Sequence, residues 1–393
     1  MKTALVFGAS GISGWAFTNE ILHDYPKKGI WGKVHALTNR PLSREASFWP
    51  DDPRLNIVSG IDILGGSQDD LEKAIKGRIP DVDKVTHVFY MAYKQDNDAD
   101  EESRVNLAMF SRAITALDHL SPNLEFVTLQ TGGKYYGCHL LENRPRDTFV
   151  PPIPENTPRL KPPHDNLFYY GQLDWLQEYS ADKKWNWNEP RPDLIIGFVP
   201  NQNFFCIATM MGVFLSLYRE LHGEGAECPF PGTARSWKAL SIDTSSDMIA
   251  RQTLHVTLTP PWSQRKGEAW NVADQREPSN WEYKWPLLCS YFGLKGVKLP
   301  QDNPLEIRAF IKQNIGTWEA MEKKYGLQSG HADSPRTAPG FEYLFMTLFD
   351  FDRQPDMTKM YSTGFTEERG PLQTWGWSWD KMKKAKIIPA EFK

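Results

Sequence analysis

Two short segments carry the side chains best suited to managing charge on a reacting oxygen. QTGGKYYG (Gln130 to Gly137) sets an ammonium, Lys134, beside phenols, and LFYYGQLDWL (Leu167 to Leu176) opens with Tyr169 and Tyr170. A phenol, with a reference pKa near ~10, is mostly protonated at neutral pH and can hydrogen-bond a carbonyl that is gaining electrons. A nearby cation stabilises the phenolate if it forms. One such acid contributes on the order of a hundredfold to ten-thousandfold in rate.

The Tyr and Lys of many hydride-transferring folds stand four apart on one helix, and two Y-x-x-x-K matches occur here. Tyr90 and Lys94 end a strand, where four residues span about 13 Å and cannot meet at one oxygen. Tyr179 and Lys183 lie near the end of a helix, about 15 Å from its start. At that start Leu173 and Asp174 occupy the places where a lysine would be expected. Lys134 therefore supplies from a loop the charge that the helix lacks, beside the two phenols Tyr169 and Tyr170.

VFGASGISGWA puts Gly8, Gly11 and Gly14 at G-x-x-G-x-x-G spacing between a strand and a helix, with Ser10 and Ile12 in the same turn. Such glycines allow a tight turn and close backbone approach, and the helix N-terminus receives a pyrophosphate. The second strand ends in Thr38, Asn39 and Arg40 rather than in an acid for a ribose hydroxyl. An arginine there suits a 2'-phosphate, so the expected cofactor is NADP. Asp62 and Ile63 would face the adenine, Met91 and small Ala92 the ribose, and Thr131 and Ile196 complete the expected cofactor set.

These residues need a sheet whose strand ends meet at one edge. Apolar runs KTALVFG, KVHALT, LNIVSG, KVTHVFYMA, LEFVTLQ and DLIIGF alternate with amphipathic stretches, predicting an α/β doubly wound parallel (Rossmann) sheet. We assign residues 1–200 to a nucleotide-binding domain and 201–393 to a smaller, mostly helical substrate lobe, with about 238–275 returning to the sheet. The most apolar stretch, 204–218, reads as a core or pocket-lining helix. A chain of 393 residues with 40% hydrophobic and 24% charged residues suits a soluble globular protein. Net charge −4 without a basic stripe argues against nucleic acid, and the absence of a long apolar run argues against a membrane. Four scattered cysteines point to free thiols in a cytoplasmic, reducing setting. Fifteen tryptophans suit a wide apolar pocket, although packing accounts for most of them.

Taken together, the lysine and tyrosine segments, PFPGT, EAWNVAD and the tail WSWDKMKKAKIIP resemble the progesterone 5β-reductase and iridoid synthase (PRISE) group of extended short-chain dehydrogenases. The resemblance covers most of the chain. It implies NADPH-dependent hydride addition to the β-carbon of an enone or enal. Tyr169 would hydrogen-bond the substrate carbonyl, and Lys134 would tune that tyrosine and the cofactor ribose. Tyr93, Tyr135 and Tyr343 would contact the substrate, a small apolar carbonyl compound, and a homodimer is allowed. The chain departs from the group at Tyr135 (usually histidine), at Leu167 (usually asparagine) and at Asn39–Arg40 (usually two arginines), which bears on substrate identity. Carbonyl reduction in the same site, or dinucleotide sensing without chemistry, are the alternatives.

Overall fold

The run KTALVF forms β1 (Lys2–Phe7), in which Ala4 to Phe7 are at most 1% exposed. A strand covered on both faces tolerates no polar alternation, because neither face meets water. β2 (Trp31–Thr38), β3 (Leu55–Ser59), β4 (His87–Tyr90), β5 (Phe126–Leu129) and β6 (Asn186–Pro192) follow. Three short strands, β7 (Ile195–Ile196), β8 (Glu227–Pro229) and β9 (Thr244–Ser245), stand outside the main sheet; β10 (Glu268–Val272) rejoins it. β7 pairs with β9, and β8 with β11 (Lys295–Val297). In the computed structural model, which describes residues 1–200, 206–298, 304–334 and 340–392, the sheet has seven strands in the order β10-β6-β5-β4-β1-β2-β3. All neighbours are parallel, so every strand of the sheet delivers its carboxyl end to the same edge.

Helices α1 (Ile12–Leu22), α2 (Arg44–Ser47), α3 (Gln68–Arg78), α4 (Ala99–Leu120) and α5 (Phe168–Tyr179) connect the strands. Side chains start two of them: Ser67 and Asp70 form a reciprocal capping box on α3, and Asp98 accepts from the amides of Asp100 and Glu101 on α4. All eleven residues of α1 are buried, since it lies between the sheet and a later helix, α8. Its buried polar groups are paired: Thr18 donates to the Gly14 carbonyl, and Glu20 accepts from Asn19 and Arg251.

α6 (Ile207–His222) accounts for most of the apolar stretch 204–218, whose first two residues lie outside the described ones. α7 (Ala234–Lys238), α8 (Ser246–Leu258) and α9 (Trp281–Ser290) follow. α8 packs on α1 and β10 pairs with β6, so this part of the chain returns to the first sheet. The remainder is helical: α10 (Ile307–Gln313), α11 (Ile315–Tyr325), α12 (Phe341–Tyr343) running into a π turn, α13 (Thr358–Ser362) and α14 (Pro371–Lys384). Much of the aromatic load is core. Trp375 and Trp379 are fully buried, and their indole N–H groups donate to Asp243 and the Ala208 carbonyl, both at 3.0 Å. All four cysteines are buried free thiols, and no helix among the described residues is long and apolar enough to cross a membrane.

One strand differs from expectation. The sixth strand of the sheet is NWNEPRP rather than DLIIGF, which contributes only the two residues of β7. Pro190 and Pro192 argue against a central strand because they donate nothing to a ladder. β5, however, pairs only with Asn186 to Asn188, so both prolines lie beyond that ladder and register only with β10. The polar residues of β6 satisfy one another and their neighbours: Arg191 pairs with Glu189 at 2.7 Å, and Thr128 donates to Asn188 at 2.9 Å.

Candidate active site

The glycine turn stands where β1 ends. Gly8 has φ +73°, and a methyl group placed on it would lie 2.7 Å from the Met91 carbonyl oxygen, so both conformation and space exclude a side chain. A methyl on Gly14 would lie 2.3 Å from the Gly8 oxygen, which lets α1 start directly against the turn. Ala9 N–H donates to Leu37 and Gly11 N–H to Gly8, pinning the loop. Gly11 caps α1 without a side-chain bond, and the first turn holds no acid. An uncapped, acid-free N-terminus leaves its amides and the positive end of the helix dipole for an anion. Ser10 is partly exposed in this turn, and Ile12 is buried against the backbone of Gly197.

At the end of β2, Asn39 and Arg40 are exposed, and the Arg40 guanidinium makes no hydrogen bond or ion pair among the described residues. The Thr38 hydroxyl is already engaged with the Arg40 carbonyl and with Ser59, each at 2.8 Å, so Thr38 shapes the loop. Asp62 accepts from Leu64 N–H at 2.9 Å; one carboxylate oxygen thus closes its own turn beside partly exposed Ile63. Met91 and Ala92 face Gly8 across the turn. Two expected cofactor contacts need correction. The Thr131 hydroxyl donates to buried Glu189 at 2.6 Å, and the Ile196 side chain is 1% exposed, so neither side chain is offered at the edge.

β5 runs into the lysine loop. Gly133 to Tyr136 form a single 3-10 turn, closed by Gly137 at φ +92°. α5 begins on Leu167, which provides no side-chain cap where asparagine was expected. A methyl on Gly132 would lie 3.4 Å from the Tyr169 hydroxyl, so this phenol stands over the loop at the carboxyl edge. Its oxygen makes no hydrogen bond among the described residues. Burial first, then the nearby Cys138, Glu102 and Glu189, push its pKa well above that of free tyrosine. The proton stays on.

Tyr170 is different. Its hydroxyl accepts from Leu160 N–H at 2.9 Å and donates to the Tyr135 carbonyl at 2.8 Å, which ties the lysine loop to the proline-rich excursion. Of these two phenols, Tyr169 is the one whose hydroxyl makes no hydrogen bond among the described residues. Lys134 is partly exposed and makes no ion pair among the described residues. Its charge reaches Cys138 and His139, the latter held down to about 4 by burial and then by Lys134. Lys134 lies on the 3-10 turn and Tyr169 on α5, and no hydrogen bond joins them among the described residues.

The expected substrate contacts separate. Tyr93 donates to the Glu102 carboxylate and stacks on Phe168, with ring centroids 5.1 Å apart, beside Tyr169. Tyr135 is corrected: its ring is buried edge-on to Tyr136 and Tyr170, with the Arg191 guanidinium 3.4 Å from its centroid. It supports the wall from behind. Tyr343 is also corrected, since it is 41% exposed and lines a separate cleft with Arg308 and Lys312 on α10. The sequence reading missed Glu102, the Glu189–Arg191 pair, Cys138 and a buried Asp193–Arg353 pair at 2.8 Å. Glu102, nine positions after Tyr93, was open to detection; the others depend on a strand hidden by prolines or on contacts distant in sequence.

Residues 4–389 match the PRISE-like Rossmann-fold domain. The chain belongs to that family. Among its relatives is the short chain dehydrogenase ausT of Aspergillus calidoustus, 36% identical over 99% of this chain and 94% of the relative. The 3-oxo-Delta(4,5)-steroid 5-beta-reductase of Arabidopsis thaliana is 28% identical over 99% and 93%. The (S)-8-oxocitronellyl enol synthase of Antirrhinum majus is 26% identical over 99% and 93%. Among solved structures, RMD from Pseudomonas aeruginosa complexed with NADPH superposes with TM-score 0.58 at 12% identity, covering 96% of this chain and 99% of that one. UDP-glucuronic acid 4-epimerase from Bacillus cereus in complex with NAD gives 0.56 at 12% identity, covering 98% and 99%. The fold is thus shared by proteins in complex with either dinucleotide.

Proposed function

We propose that this PRISE-like protein is an NADPH-dependent ene-reductase acting on an enone or enal, of the steroid or terpenoid kind named for its plant relatives. The observation that carries the reading is the Tyr169 hydroxyl: protonated, without a hydrogen-bond partner among the described residues, over Gly132 at the carboxyl edge, while its neighbour Tyr170 is fully engaged.

The residues present fit a phosphorylated dinucleotide. The cradle at Gly8 and Gly14 admits a backbone approach that a side chain would block, the start of α1 is free for the pyrophosphate, and Arg40 is free for a 2'-phosphate. When bound, the reduced nicotinamide supplies hydride. Tyr169 then hydrogen-bonds the substrate carbonyl and stabilises the negative charge that develops on its oxygen as the β-carbon accepts hydride. A proton from solvent completes the saturated carbonyl product. Lys134, unpaired among the described residues, adds a positive charge on the cofactor side. Tyr93, held by Glu102, orients the substrate against Phe168.

The test is NADPH consumption by the purified protein with a panel of small enals, cyclic enones and 3-oxo-Δ4 steroids, followed by product identification. Saturated carbonyl products support the reading. Allylic alcohols would move the assignment to carbonyl reduction, and no consumption across the panel would leave a dinucleotide-binding protein.

A further inference from the structure

Among the acids that open α4, one is placed unlike the others. Asp98 caps the helix, Asp100 accepts from Asn166, and Glu101 pairs with Arg104 at 2.6 Å and also feels Lys94. Such charges suit the positive end of a helix dipole. Glu102 turns to the site instead. Its Oε1 accepts from the Tyr93 hydroxyl, Tyr93 stacks on Phe168 with ring centroids 5.1 Å apart, and the Phe168 ring lies 4.3 Å from that of Tyr169.

The placement is rigid. Buried Asn106 accepts from the Lys94 amide at 2.9 Å and donates to the Lys94 and Glu102 carbonyls at 2.7 and 2.8 Å, so the chain just after Tyr93 is tied to the first turns of α4. Gln172 on α5 donates to the Asn106 carbonyl at 3.1 Å and joins the helix of Tyr169 to the same unit.

What remains unbalanced is charge. Two carboxylates, Glu102 and Glu189, lie near enough to Tyr169 to raise its pKa. Glu189 is neutralised by Arg191 at 2.7 Å. Glu102 forms no ion pair among the described residues, and its Oε2 makes no hydrogen bond with them. It is only partly exposed, so water screens it less than it screens a surface acid. A fixed negative charge beside the reacting carbonyl attracts a cation on the substrate and repels an anion.

We propose that Glu102 is a specificity-determining residue that reads the charge of the substrate: the site favours an enone carrying an ammonium group near the carbonyl held by Tyr169 and refuses one carrying a carboxylate there. The inference rests on the ene-reductase reading for the place of that carbonyl.

The experiment uses cyclohexenones that differ in one substituent, aminomethyl, hydroxymethyl or carboxylate, placed in turn at each ring carbon outside the enone. Turnover is compared as kcat/KM, and the saturated ketones are titrated calorimetrically into the NADP-loaded protein. At the most responsive position the amine should exceed the alcohol, and the alcohol the carboxylate, by about 10-fold each. Between about 10 mM and 1 M salt the Debye length shrinks from about 30 Å to about 3 Å, and that spread should narrow several-fold. Glu102→Gln keeps an oxygen for the Tyr93 hydroxyl and removes the charge. With bound NADP and Lys134 unchanged, the three compounds should then fall within about threefold of one another. Equal use of the three by the wild-type protein at every position, or a spread indifferent to salt, overturns the proposal whether or not the variant folds. So does a spread that persists in a cooperatively melting Glu102→Gln. Ranked binding without turnover of any enone would sink the ene-reductase reading and leave this one standing; turnover without ranking would do the reverse.

Discussion

The two ends of α5 offer the same chemistry on paper. Each has a tyrosine and a candidate lysine: Tyr169 with Lys134 at the start, Tyr179 with Lys183 at the end. At the end both are engaged by one carboxylate, since Tyr179 donates to Asp118 at 3.0 Å, Lys183 pairs with it at 2.9 Å, and Trp185 donates to its other oxygen at 2.8 Å. At the start neither Tyr169 nor Lys134 has a partner among the described residues. A cluster whose hydrogen bonds are complete holds the fold together; one left incomplete at a strand edge is available to a ligand. Residue type and spacing do not distinguish them, but the state of their partners does.

The sharpest way to break this comparison is to remove the phenolic oxygen at the start of the helix. Tyr169→Phe should lower enone reduction by on the order of a hundredfold to ten-thousandfold, with NADPH affinity unchanged by fluorescence titration. Tyr170→Phe should instead lower thermal stability, because Leu160 N–H and the Tyr135 carbonyl lose their shared partner. If Tyr170→Phe abolished turnover in a stable protein while Tyr169→Phe did not, the assignment of the two phenols would be reversed. Because burial raises the Tyr169 pKa, the rate should also stay level from neutrality past the pH at which a free phenol titrates. A decline near pH 10 that Tyr169→Phe eliminates would show an ordinary, solvated phenol.

A smaller effect is expected at the cofactor end. Arg40→Ala should raise the KM for NADPH about tenfold to a hundredfold, the size of a charge-assisted bond, and leave that for NADH near its original value. Equal losses with both dinucleotides would mean that Arg40 acts on the loop and not on a phosphate. Lys134→Met sharpens the same point. With no hydrogen bond joining it to Tyr169 among the described residues, it should weaken cofactor binding or hydride transfer without moving the pH profile of the phenol.

How far the sequence reached follows from how local each feature is. The parallel sheet, the glycine turn and the segment holding Tyr169 were legible because each is set by a handful of consecutive residues: apolar runs, G-x-x-G-x-x-G, and an aromatic pair opening a helix. β6 was not, because Pro190 and Pro192 lie where only β10 registers with them, and pairing partners are invisible in one strand's sequence. Thr131 reads like a ligand contact until Glu189 is found beneath it, and Tyr135 reads like a pocket wall until Arg191 covers its ring. Arg353 could not have been found at all from spacing, since its partner Asp193 is 160 positions away.

The smallest expected effect lies at the far end of α5, where the comparison predicts a purely structural role. Burial opposes ionisation of Asp118, but the bonds from Trp185, Lys183 and Tyr179 outweigh it and hold the carboxyl below its usual range. A carboxyl depressed in the folded state adds stability above its unfolded pKa and loses it as pH falls through the folded one. Asp118→Asn should therefore cost about 1–2 kcal/mol at pH 7, measured by urea denaturation, and that cost should shrink as pH falls below about 4, once the wild-type carboxyl is protonated as well. Turnover should be unaffected throughout. A loss of enone reduction in Asp118→Asn at full stability would mean that Tyr179 and Lys183 have a part in the chemistry, and that complete hydrogen bonding does not separate a structural tyrosine–lysine pair from a reactive one.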